Sequence, residues 1–303
     1  MKQPTRRAAL AALAATSAGL ACRPSASLSE APRSTAMTRQ PALYLPHGGG
    51  PWPWMPSFAP AMASLRTWLE ALPAQLPGPP TAVLCITAHW EERLPTVSTG
   101  PKPGMLYDYS GFPRHTYDLQ WPAPGDPRLA TRVRDLLAGA GIDSAEDSTR
   151  GFDHGTFVPL AVSWPAAAVP TVQLSLQRGL DPARHLAIGR ALAPLRDEGV
   201  LIVGSGMSYH NMRGFQMARA GMPGPGARDA ALFDDWLTEA TIGEQRNEAL
   251  AHWTEAPSAR ASHPREEHLL PLMVVAGAGG ADEGTLPYQG DVLGVRVSAV
   301  QYG

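Results

Sequence analysis

Residues 81–88 read Thr-Ala-Val-Leu-Cys-Ile-Thr-Ala and run directly into His89-Trp90. An apolar, β-branched run of this length with turn residues before it predicts a buried strand, here with a histidine just past its end. The pattern recurs on both sides. Residues 41–46 (PALYLP) stop at His47-Gly48-Gly49-Gly50-Pro51, and 200–205 (VLIVGS) lead into Gly206-Met207-Ser208-Tyr209-His210-Asn211. Residues 169–176 (VPTVQLSL) form another buried run, and 292–300 (VLGVRVSAV) alternate as an edge or half-buried strand would. Helical patterns fall between them at about 60–75, 127–140, 181–197, 228–251 and 264–278, while 214–227 (GFQMARAGMPGPGA) read as a flexible loop. Strands alternating with helices predict a single α/β domain whose mostly parallel central sheet is flanked by helices. Such sheets bind ligands beyond the carboxyl ends of their strands, where three of these histidines fall.

Composition narrows the class. The chain has 303 residues, 44% apolar and 17% charged, which excludes a disordered polymer. A net charge of −2 leaves no electrostatic footprint for nucleic acid. Two cysteines, Cys22 and Cys85, are too few for a disulfide scaffold, and Cys85 reads as a buried, inert thiol. The first 36 residues read as an address and linker ahead of a catalytic domain at 37–303. Arg6-Arg7 precedes the apolar run Ala8–Ala21, shorter than the roughly 20 residues that a membrane span needs. It has the form of a twin-arginine signal, with a loose lipoprotein cleavage site that would leave a lipid anchor at Cys22. That reading expects export to the periplasm or its membrane. A start at Met37 would instead leave the protein in the cytoplasm.

Imidazole is the commonest metal ligand, and two more histidines join the three at strand ends. His154 lies in Gly151-Phe152-Asp153-His154-Gly155, a turn flanked by glycines, and His268 lies where Pro264 opens the last helical pattern. There His268 shares a face with Leu272, while Glu267 points about 100° away, so one of the two faces a metal. His115, His185, His252 and His263 lack such settings and read as surface or structural. His47-Gly48-Gly49-Gly50 is similar to the oxyanion segment of lipases, but no Gly-x-Ser-x-Gly elbow follows; Gly206-Met207-Ser208-Tyr209-His210 is the nearest approach. The sequence holds no His-Glu-x-x-His, Cys-x-x-Cys, P-loop or dinucleotide fingerprint.

Seven short segments in order carry a family resemblance: His47-Gly-Gly-Gly-Pro51, Thr87-Ala-His-Trp90, Gly111-Phe-Pro113, Trp121-Pro-Ala-Pro-Gly125, Gly151-Phe-Asp-His-Gly155, Tyr209-His-Asn211 and Glu267-His-Leu-Leu-Pro-Leu272. Over residues 41–302 the chain resembles the class III extradiol ring-cleavage dioxygenases, in the 4,5-DOPA extradiol dioxygenase-like branch. The resemblance implies metal ligation by His47, His89 and His268. It makes His210 the catalytic base, or a further ligand when zinc occupies the site, and sets His154 beside the substrate. It implies Fe(II) for activity, Zn(II) as another occupant, and a small aromatic diol opened by O2 to a semialdehyde. Trp90, Phe112 and Phe152 are expected to wall the pocket, with Arg114 and Arg150 as candidates for a substrate carboxylate. The chain departs from the branch at Gly49, where His-Gly-Ser is frequent, and at Tyr107-Asp108-Tyr109, where His-Asp-Phe or Tyr-Asp-Phe is common. Two other readings stand beside this one. A zinc hydrolase would use the all-histidine set His47, His89, His268 and His210. A non-enzymatic binding relative would be expected to lack a ligand, and none is missing.

Overall fold

A computed structural model describes residues 37–222 and 225–303; the expected signal, linker and lipid anchor within residues 1–36 lie outside the described residues. The elements run, in chain order, β1 (Ala42–Pro46), α1 (Ala63–Gln75), β2 (Ala82–Glu92), β3 (Thr96–Ser98), α2 (Pro127–Gly139), β4 (Ala145–Asp147), α3 (His154–Ser163), β5 (Thr171–Gln177), α4 (Pro182–Leu192) and β6 (Val200–Gly206). Then follow α5 (Met212–Arg219), α6 (Pro225–Ile242), α7 (Arg246–Ala251), α8 (Ala259–Ser262), α9 (Leu270–Gly279), β7 (Gly284–Val292) and β8 (Val295–Tyr302). The strands form one 8-stranded sheet in the order β4-β3-β5-β2-β6-β1-β8-β7. The centre, β5-β2-β6-β1, is parallel, and the β7–β8 hairpin extends it antiparallel along β1. The single α/β domain expected from the sequence is therefore present.

Alternation along the strands builds two cores. Successive side chains of a strand point to opposite faces. On β1 and β2, Tyr44, Leu84 and Ile86 join α2, α4 and α9 on one side, while Leu43, Leu45, Val83 and Cys85 join α1 and α3 on the other. Helix α9 is buried along its whole length, between the sheet and α4. No helix among the described residues is long and apolar enough to cross a membrane.

Register sets the functional edge. Pro46 lies opposite Gly206, and Ser205 lies opposite Thr87. The carboxyl ends of β1 and β6 thus meet β2 at one level, and His47, His89 and His210 follow within four residues of it.

Several expectations need correction. The last helical pattern starts at Leu270 rather than 264, because Pro271 is tolerated only in a helix's first turn; His268 sits in the turn before it. Within 214–227, residues 214–219 and 225–227 are helical rather than loop. Asn211 accepts hydrogen bonds from the backbone N–H groups of Arg213 and Gly214 and so caps α5, and α6 begins at Pro225. Strand β2 continues to Glu92, so His89 lies inside it, where its register against β5 shifts between Ile86 and Glu91.

Candidate metal centre

Each histidine is positioned by its own local device. His47 leaves β1 with its backbone N–H on the Gly206 carbonyl, 3.0 Å, while its own carbonyl accepts from Trp52 Nε1, 2.8 Å. His154 is the first residue of α3, whose N-cap Asp153 accepts from the Thr156 backbone N–H. The backbone N–H of His210 donates to the Ser262 carbonyl, 3.0 Å. The carbonyl of His268 accepts from the Tyr44 hydroxyl, 2.7 Å, and from the Met207 N–H, 3.1 Å. That approach needs Gly206, since a Cβ there would stand 2.1 Å from the same carbonyl oxygen.

The five rings form one cluster. Ring centroids lie 4.9 Å apart for His47 and His89, 5.2 Å for His47 and His268, and 4.9 Å for His89 and His268. His154 lies 3.9 Å from His89, and His210 stacks on His268 at 3.4 Å. Their Nδ1 atoms are tied to acceptors. His47 Nδ1 meets the Gly48 carbonyl at 2.7 Å, and His154 Nδ1 meets Asp108 Oδ1 at 2.8 Å. His268 and His210 share Glu267 Oε1, at 3.0 and 3.2 Å. His89 Nδ1 is 3.5 Å from Asp108 Oδ2. An imidazole that donates from Nδ1 keeps its lone pair on Nε2, the form that binds metals.

The donor set fits a metal ion. The Nε2 atoms of His47 and His89 are 3.3 Å apart. Two nitrogens each about 2.0–2.1 Å from one tetrahedral ion would be about 3.4 Å apart. Burial, followed by repulsion from neighbouring histidines, holds His47, His89 and His268 well below the ordinary value of 6.5, so these rings are neutral at physiological pH. Burial raises the Asp108 and Glu267 carboxyls, yet hydrogen bonds from His154 and His210 outweigh it and both titrate low. Ligand-type atoms of His47, His89 and His154 lie within 4.8 Å of one another, as do those of His210, Glu267 and His268.

The structure thus brings together all five expected histidines, and two carboxylates that sequence reasoning undervalued. Glu267 is not a rival of His268 but its hydrogen-bond partner, next to it in sequence. Asp108 lies in the Tyr-Asp-Tyr segment, whose only signal was an acid between two aromatic residues. The other histidines stand apart from the cluster. His185 bonds the Gln177 N–H and the Asp181 carbonyl, His263 bonds the Ser208 carbonyl, and His115 and His252 are exposed.

A cavity of about 360 Å³ opens beside His210. Phe112 lines it, together with Tyr109, Met207, Phe215 and the Gly48–Gly50 turn, but Trp90 and Phe152 do not. Trp90 follows His89 on a strand and so faces away, beneath the Arg150 guanidinium at 4.4 Å; Phe152 is buried against Trp121 at 5.4 Å. Arg150 is held by Asp153, 2.9 Å away, rather than turned to the cavity. Arg114 is exposed and is not among the lining residues. Cys85 is fully buried, and burial drives its thiol far above the usual range.

Comparison with known proteins agrees with this geometry. Residues 36–296 match the family described as the catalytic LigB subunit of aromatic ring-opening dioxygenase. The chain is 42% identical over 222 residues to the 4,5-DOPA dioxygenase extradiol of Beta vulgaris, covering 73% of this chain and 80% of that one. It is 38% identical over 284 residues to dioxygenase tasH of Hapsidospora irregularis, covering 89% and 87%. The crystal structure of an uncharacterized protein from Escherichia coli K12 superposes with a TM-score of 0.68 at 31% identity, over 88% of this chain and 100% of that one. These relationships favour the dioxygenase over the zinc hydrolase and the non-enzymatic relative. The chain belongs to the family of the catalytic LigB subunit of aromatic ring-opening dioxygenase, and it is an extradiol dioxygenase.

Proposed function

We propose that this dioxygenase is metal-dependent, that His47, His89 and His268 hold the ion, and that the substrate is a catechol opened to a semialdehyde. The observation that carries the reading is the packing of the cluster: five neighbouring rings, His47, His154 and His268 buried and His89 and His210 half-buried, with Nδ1 atoms facing Gly48, Asp108 and Glu267. Fe(II) is the expected ion, since three protein ligands leave positions at which it can take a catechol and dioxygen together and pass electrons between them. Zn(II) also suits these nitrogens, His210 adding a fourth, and would compete as an occupant.

His210 borders the cavity and accepts a proton from the catechol hydroxyl at Nε2. Glu267 Oε1 holds its Nδ1–H, which fixes the ring and stabilises the imidazolium formed. The same proton then returns to an oxygen atom as the ring opens. His154, fixed by Asp108 through both its backbone N–H and its ring, accepts a hydrogen bond at Nε2 from the second hydroxyl. Catechol and O2 together balance the product: one ring C–C bond beside a hydroxylated carbon breaks, both oxygen atoms enter, and no external reductant is needed.

Anaerobic loading with Fe(II), followed by oxygen uptake across a catechol panel, tests this. Uptake with a yellow semialdehyde band, lost in His47→Ala and His210→Ala, is expected. Undiminished uptake in either variant would refute the assigned roles.

A further inference from the structure

We propose that Asp153 is a positioning residue for the ring-opening reaction: through Thr87 and Arg150 it holds the backbone of His89, and by capping α3 it sets His154. One buried carboxylate then fixes the spacing between a ligand and the histidine beside the substrate. This rests on the roles proposed for His89 and His154 above. His89 lies where the sheet gives it little guidance. Pairing of β2 with β6 ends at Thr87, opposite Ser205, and its register against β5 shifts between Ile86 and Glu91. Such a break re-aims a side chain and interrupts the ladder around it. Side chains act there instead. Thr87 Oγ1 accepts from the His89 N–H at 3.2 Å, and Arg150 Nη2 donates to the His89 carbonyl at 3.3 Å.

Both arms end on Asp153, which is fully buried. The Thr87 hydroxyl donates to Oδ1 at 2.8 Å, and Arg150 Nη2 donates to Oδ2 at 2.9 Å. Oδ1 also accepts from the Thr156 N–H at 3.0 Å, the bond that caps α3 one residue before His154. The Asp153 N–H and the Thr156 hydroxyl both donate to Gln173 Oε1, at 3.4 and 2.8 Å, which ties the cap to β5. A buried carboxylate needs partners of this kind, and hydrogen bonds that share it strengthen one another. The spacing is tight. A Cβ at Gly155 would stand 2.8 Å from His89 Cδ2 and 2.8 Å from Thr87 Oγ1, and the His89 and His154 rings lie 3.9 Å apart. A shift of β2 against α3 therefore moves both rings relative to metal and substrate, and a misplacement of about 1 Å costs on the order of 100-fold in rate.

The test compares Thr87→Val, which keeps nearly the same shape without the hydroxyl, with Thr87→Ser, which restores the hydroxyl. Ser163→Ala is the control: it removes one buried hydrogen bond, to the Leu69 carbonyl, from the far end of α3. Zn(II) affinity is read by competition with a chromophoric chelator in the absence of substrate, and kcat is read on the folded, iron-loaded protein at saturating catechol. Thr87→Val should bind Zn(II) about tenfold more weakly and lose about tenfold in kcat, because a hydrogen bond to a charged group and the acceptor of the His89 N–H go together. Thr87→Ser and Ser163→Ala should each stay within about threefold of the parent in both readouts. Arg150→Gln, which cuts the other arm at a half-buried position, should weaken Zn(II) binding likewise, and it decides the matter if Thr87→Val does not fold. Parental Zn(II) affinity and kcat in a folded Thr87→Val, or in Arg150→Gln, would overturn the inference. So would losses in Thr87→Ser or Ser163→Ala as large as those in Thr87→Val, since loosened packing alone would then account for them. No Zn(II) binding by the unmodified protein refutes the ligand assignment, and the inference with it. The expected order of Zn(II) affinities without oxygen uptake for any catechol refutes the ring-opening assignment alone.

Discussion

Asp108→Asn is the most informative single change, because it alters hydrogen-bond polarity and leaves shape intact. Asp108 Oδ1 accepts from the His154 backbone N–H at 2.9 Å and from His154 Nδ1 at 2.8 Å, while Oδ2 stands 3.5 Å from His89 Nδ1. An asparagine keeps both His154 bonds only by turning its NH2 toward His89. His89 Nδ1 then has to accept, its proton moves to Nε2, and the lone pair that faces His47 at 3.3 Å is lost. Turning the amide the other way sets its NH2 against two donors. The first arrangement forfeits the His89 contact and the second a hydrogen bond to a charged group, the latter worth about 1.5–3 kcal/mol, or about 10- to 150-fold in metal affinity. That agrees with the roughly 10–100-fold that loss of a ligand's supporting partner costs elsewhere. Anaerobic competition against a chromophoric chelator, with Fe(II) and with Zn(II), reads the change directly. A folded Asp108→Asn variant with affinity within about twofold of the parent would refute the argument that this carboxylate sets the ligand tautomer.

Three other outcomes follow from the same structure. Glu267→Ala releases His210 and His268 together, so metal affinity should fall about 10–100-fold and oxygen uptake at saturating metal should fall further; unchanged uptake would show that His210 needs no support. His185 and His263 are buried and lowered to about 4 and about 3, chiefly by burial, from 6.5. Between those values and 6.5 the unfolded chain binds protons that the folded chain refuses. Stability therefore drops as pH falls below 6.5, by about 2 kcal/mol per group at about pH 5, and urea unfolding of His185→Gln should show a correspondingly shallower pH dependence. Gly50→Ala should destabilise by about 1–3 kcal/mol, since its φ is +53° and a Cβ would lie 2.7 Å from the Phe112 ring; Gly49→Ala, with nothing within 4 Å, should lie within about 0.5 kcal/mol of the parent in thermal unfolding.

The sheet was legible because its central strands are buried on both faces and read as unbroken apolar runs. The histidines were legible because ligand sites of such sheets gather at carboxyl ends. Elements that escaped have physical reasons. Helix α3 is apolar on every side and holds Pro159, so it shows no stripe and carries a residue that argues against helix. Strand β7 (GTLPYQGDV) is an edge strand broken by Pro287 and Gly290, as edges tolerate. Pocket walls were the least legible part. Trp90 adjoins a site residue in sequence and therefore faces away from it on a strand, whereas Met207, Phe215 and Leu293 reach the cavity from three separate segments. The roles of Asp108 and Glu267 depend on which ring nitrogen meets which oxygen, which spacing along the chain does not encode.

The central claim is that this histidine cluster opens a catechol ring with both atoms of dioxygen. The most direct measurement is mass spectrometry of the product formed from butylcatechol under isotopically labelled dioxygen by the iron-loaded protein. The account predicts a semialdehyde carrying two labelled atoms, one dioxygen consumed per catechol, and no product with His210→Ala. A product with its ring intact, or with one labelled atom and one from water in the absence of exchange, would contradict it.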